Sequence, residues 1–68
     1  MKTFRLGQSV ECGDKRFQVV QIDRISKCHK IIFANTENNR LYVKELETDE
    51  NGNEYAEYNR KLNIQFRA

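Results

Sequence analysis

Between Arg16 and Leu46 the chain strings together three runs, RFQVVQIDRI, HKIIFANTE and RLYVKEL, each rich in β-branched or aromatic residues and each bounded by polar turn chemistry. Side chains branched at Cβ fit a pleated surface better than a helix, so runs of this kind read as strands. No proline interrupts them. The spacing of apolar runs and turns predicts an antiparallel meander in which the flanking residues pair with this centre and close it.

Taken in order, Thr3–Leu6 and Ser9–Cys12 are short β signals on either side of Gly7-Gln8, and Gly13-Asp14-Lys15 is a turn. The run Arg16 to Ile25 changes phase. Phe17 and Val19 share one face, whereas Val20 and Ile22 share the other, which predicts a β-bulge in mid-strand. Ser26–Cys28 forms the next connection. Ile31, Ile32 and Phe33 place apolar atoms on both faces, as in a central strand covered on both sides. Asn38-Asn39 marks a tight turn, and Leu41 and Val43 alternate with Tyr42, Lys44 and Leu46. Asn51-Gly52, between two extended runs, is the favoured pair for a type I′ hairpin. The partner run is Glu54–Tyr58, for which the competing reading is one helical turn over 54–61, because Tyr55, Tyr58 and Leu62 also fit a helical stripe. In the last run, LNIQFR, the alternation turns Leu62, Ile64 and Phe66 inward.

The order of Leu6-Gly7 ahead of Val10-Glu11-Cys12, then Arg16-Phe17 opening VVQIDRI, then KIIF, then Tyr42-Val43-Lys44-Glu45-Leu46 resembles small SH3-like barrels of the Tudor and KOW type. The resemblance implies an all-β fold, one domain over 1–68, built as a single antiparallel meander or SH3-like barrel of five to six strands. It also implies binding rather than catalysis: methylated Lys or Arg in an aromatic cage, or nucleic acid or protein along a barrel face. Phe17, Phe33 and Tyr42 are the rings such a cage would use.

A chain of 68 residues buries only about 60% of the surface its unfolded form exposes. With 38% apolar residues, nearly all of them are needed for the core, which leaves little for a deep substrate cleft. No Gly-rich phosphate loop is present, and no residue flanks a nucleophile in an activating pattern. Cys12, Cys28 and His29 are the only soft ligands and are badly spaced for structural zinc. The expectation is therefore a non-enzymatic protein with no metal and no cofactor. The longest unbroken apolar run is Ile31–Ala34, so no membrane span or signal segment is predicted. That predicts a cytoplasmic protein with two buried free thiols.

Charge is unevenly spread. Residues 1–30 hold seven Lys/Arg against three acids, and residues 31–68 hold five against seven. Glu45, Glu47, Asp49, Glu50, Glu54 and Glu57 follow one another with no base between them, which reads as a solvated hairpin tip or as an acidic lobe for a basic partner. Two functions follow. The first is a regulatory module that docks on a protein partner through Tyr42, Glu45, Glu47, Asp49, Glu50, Tyr55 and Tyr58, for instance a phage or plasmid product that inhibits a host factor. An edge strand also offers pairing with a second copy as a homodimer. The alternative is a nucleic-acid-binding barrel that uses Lys15, Arg16, Arg24, Lys27 and Lys30.

Overall fold

The computed structural model describes all 68 residues and contains strands and turns but no helix. The strands are β1 (Ser9–Cys12), β2 (Lys15–Asp23), β3 (Lys30–Asn35), β4 (Leu41–Glu45), β5 (Glu47–Thr48), β6 (Glu54–Asn59) and β7 (Ile64–Arg67). They form two antiparallel sheets, β1-β2-β3-β4 and β5-β6-β7. The all-β expectation holds. Seven strands replace the five to six expected, and the two sheets do not close into a barrel.

Alternation explains which faces meet. Val10 and Cys12 of β1, Phe17 and Val19 of β2, and Ile31 and Phe33 of β3 turn inward, opposite Ala56 of β6 and Phe66 of β7. The register of β2 on β3 slips between Val19 and Gln21, so the predicted bulge is present, with Val20 as the extra residue. Its effect differs from the expectation. The extra residue restores the phase, so Ile22 pairs with Ile31 and packs on the core, leaving Val20 exposed. β3 is a central strand, yet only one of its faces is covered: Ile31 and Phe33 are buried, whereas Ile32 and Ala34 are half-exposed. The outer side of this sheet meets solvent.

Four phenylalanines fill the middle. The rings of Phe33 and Phe66 stack with centroids 3.8 Å apart, and Phe17 meets Phe66 edge-on at 4.9 Å. Phe4 closes the cluster with an edge-on contact to Phe33 at 5.5 Å. Its segment is not a strand, contrary to the β signal at Thr3–Leu6. It lies extended beside β6, where Lys2 accepts from the Glu54 N–H at 2.9 Å.

Several turns depart from expectation for local reasons. The loop at Asn51-Gly52 is not type I′, because that turn needs positive φ at both residues and only Gly52 has it (φ +80°). Instead the Gly52 N–H bonds to Asp49 O at 3.0 Å and Asp49 Oδ1 accepts from the N–H of Asn51 and Asn53, which makes a type I turn followed by a glycine bulge. Likewise only Asn39 of the Asn38-Asn39 pair is left-handed. Residues 54–59 are strand, and the helical reading of 54–61 is wrong. Leu62 sits in the β6–β7 turn and is exposed rather than inward, while Ile64 packs on the core and Phe66 lies within it. Both thiols are free, but only Cys12 is buried; Cys28 lies in the exposed β2–β3 loop beside His29.

Candidate functional site: an open strand edge and an acidic cleft

The candidate site is built where the two sheets part. β4 pairs with β3 on one side only. Asn35 N–H bonds to Arg40 O and Leu46 N–H bonds to His29 O, at opposite ends of the same ladder. Because antiparallel bonding alternates, Tyr42 and Lys44 spend their backbone groups on β3, and Leu41, Val43 and Glu45 turn theirs to the outer edge. After Leu46 the chain crosses to the other sheet, where Glu47 pairs with Tyr55 of β6. A register slip between Glu57 and Asn59 bends β6 at Tyr58. Between these elements lies a cleft of about 430 Å³ lined by Val43, Lys44, Glu45, Glu47, Glu57 and Arg60.

Glu57 is the unusual residue of this cleft. Its Oε1 accepts a long bond from Gln65 Nε2 at 3.4 Å, and its Oε2 is buried with no hydrogen-bond partner. Lys44 and Arg60 line the same cleft, but neither forms a salt bridge with it. Beside the cleft runs an apolar strip. Antiparallel partners share a face, so Leu41 with Ala34 and Val43 with Ile32 line up on the outer side of the four-stranded sheet. Leu41 is 61% and Val43 57% exposed, high values for aliphatic residues in a sheet.

The residues expected to bind protein divide into three groups. Glu45 and Glu47 line the cleft, and Tyr55 lies on the same face as its partner Glu47, with the Arg67 guanidinium 5.5 Å from its ring. Tyr42 and Tyr58 instead pack against the edge and tilt of Phe17 and cover the core. Asp49 and Glu50 lie in the β5–β6 turn, where Asp49 is occupied in shaping the loop. Glu57 was missing from the expected set. Its place in an acidic run was visible, but its orphaned oxygen depends on how β6 leaves β4.

The acidic run is also not one solvated tip. Glu54 is buried at 7% exposure. Its carboxylate accepts from Arg24 Nε and Nη2, both at 2.8 Å, and from the Phe4 N–H at 2.9 Å, while Arg24 Nη2 also donates to Phe4 O at 2.7 Å. These bonds from Arg24, joined by the one from Phe4, hold the Glu54 carboxyl below the usual range against the opposing effect of burial.

The five cations named for nucleic acid are dispersed by use. Arg24 belongs to the clasp just described, and Arg16 pairs with Glu11 at 3.0 Å. Lys15, Lys27 and Lys30 make no salt bridge. Lys15 and Arg16 line a shallow dish of about 370 Å³ together with Glu11, Asp14 and Glu37, so the two cations there face three carboxylates. Phe17 and Phe33 are fully buried, so these two rings offer no face to a cation. In the β2–β3 loop, the N–H and hydroxyl of Ser26 and the N–H of Ile25 donate to Asp23 and lower its carboxyl. Burial raises the Cys12 thiol, with Lys44 opposing it.

No family model, curated protein or solved structure matches this chain. Fold and site together define a small all-β domain of two antiparallel sheets, with the β4 edge of one sheet beside a cleft.

Proposed function

We propose that the chain is a non-enzymatic protein-binding module and that its two sheets are an opened SH3-like barrel. The barrel reading is supported by the path of β4 into β5, which crosses from one sheet to the other at Leu46. The binding reading is carried by one observation: an open strand edge at Leu41–Glu45 lies between an apolar strip and a cleft with three carboxylates. An exposed apolar strip rimmed by charged groups is the usual make-up of a surface completed by a partner.

The test is capture from a cell lysate on immobilised protein, with a nuclease arm and a salt series. The control is a variant carrying E45K, E47K and E57K whose fold is checked by circular dichroism. The expected result is a discrete protein that survives nuclease and is lost on the charge-reversed variant. Retention that vanishes with nuclease, or that ignores the charge reversal, overturns this reading. The first of these results would favour a nucleic-acid surface formed by Lys15, Lys27 and Lys30.

A further inference from the structure

The outer face of the four-stranded sheet carries a strip that is complementary to itself. Antiparallel partners share a face, so the β3–β4 ladder sets three pairs side by side there: Ala34 with Leu41, Ile32 with Val43, and Lys30 with Glu45. All six residues reach solvent, and Leu41 and Val43 are the most exposed aliphatic residues in any strand. The core lies on the other face, with Ile31 and Phe33. At the end of the strip, Lys30 and Glu45 are neighbours of opposite sign, yet neither forms a salt bridge within the chain.

We propose that a second copy of this chain covers the strip, its outer sheet face packed on this one about a two-fold axis that runs near the strand direction between β3 and β4. Such an axis exchanges the two strands. It lays Leu41 over Ala34 of the second copy, Val43 over Ile32 and Glu45 over Lys30, and each contact occurs twice. The bulky Leu41 thus meets the small Ala34, as side chains of packed sheets interdigitate. Glu45 and Lys30 of both copies form a ring of alternating charge, in which each ion has an opposite neighbour along its own ladder and another across the contact. That charge complementarity is what favours a second copy as the occupant. Four strands roughly 4.8 Å apart and about six residues long give a flat footprint of about 400 Å² per copy. This is the small end of specific interfaces, so the pair should exchange with monomer at micromolar concentration or above. The inference takes its apolar strip from the protein-binding reading but goes beyond it, since it needs nothing at Glu47 or Glu57 of the other sheet.

The test is sedimentation of the purified full chain at low salt, from about 10 μM to about 1 mM. The expected result is a monomer that becomes a dimer as concentration rises. K30E and E45K, each checked for fold by circular dichroism, should weaken the dimer about 10-fold or more, because each sets like charges together across the axis. An equimolar mixture of the two variants should associate again, since every pair across the axis is then of opposite sign. Misfolding of either variant could not produce that rescue. In a mixed-label sample of the unchanged chain, isotope-filtered NOEs should join the Leu41 methyls to the Ala34 methyl of another copy. A chain still monomeric at about 1 mM overturns the inference. So does a mixture that stays monomeric, or a dimer that Val43→Asp leaves intact. If the chain is monomeric while a captured protein is lost on E45K, E47K and E57K together, the contact between copies is wrong and the protein-binding reading stands. If the mixture associates but capture ignores the charge reversal, the contact between copies stands and that reading falls.

Discussion

Glu54 makes a separable contribution to stability. Its folded carboxyl lies below the ordinary value of 4.5, so the folded chain binds protons less readily than the unfolded one. The stabilisation is therefore complete above that value and is lost as pH falls through the lower folded value. Glu54→Gln keeps the shape but sets an amide against Arg24 donors, and it should cost about 2 kcal/mol at neutral pH, the scale of hydrogen bonds to charged groups. Urea unfolding of both proteins across the acid range checks this: the gap should narrow as pH falls, and a gap constant with pH would remove Glu54 as the titrating group. Composition offered no way to single this residue out. It stands among five other carboxylates in a base-free run, and its burial comes from Arg24 and Phe4, which are 30 and 50 positions away in the chain. Glu57 was obscured for the same reason, since an orphaned oxygen reflects tertiary placement rather than residue type.

At the scale of elements, local signals transferred well where one residue's conformation decides the outcome. The bulge in β2 was readable because a phase change in alternating hydrophobicity has few other causes, and the turn at Gly52 because glycine is suited to its left-handed φ. The choice between turn types was less readable, because the carboxylate of Asp49 organises the loop from outside the Asn-Gly pair. Gly52→Ala should destabilise by about 1 to 2 kcal/mol, the cost of left-handed backbone for a residue with a Cβ. The added Cβ would also lie 2.8 Å from Cγ of the exposed Met1 side chain, which can turn aside, so the backbone cost dominates. Thermal unfolding measures it. An unchanged midpoint would mean that the loop tolerates another turn type.

For the whole molecule, size governs. At roughly 0.05–0.15 kcal/mol per residue, a domain of this length holds about 3–10 kcal/mol in total. Phe66 touches Phe17, Phe33 and Tyr58, and its truncation to alanine should cost about 3–5 kcal/mol, enough to leave much of the population unfolded. Phe66→Leu, which keeps most of the volume, should fold with a lowered melting temperature. A cooperative, near-normal melt for Phe66→Ala would show that the ring stack is not what unites the sheets. The thin core was legible from the length, and the inward phenylalanines from their alternation. Closure was not, because whether β4 meets β6 depends on the bend at Tyr58 and the crossing at Leu46.

The two ends of the chain converge on one residue: Lys2 O accepts from the Glu54 N–H, and the Ala68 N–H donates to Glu54 O. A force drawing those ends apart would thus be borne first at Glu54, before the long ladders of the four-stranded sheet are loaded. The residue whose carboxylate contributes acid sensitivity thus holds, through its backbone, the mechanical latch of the fold.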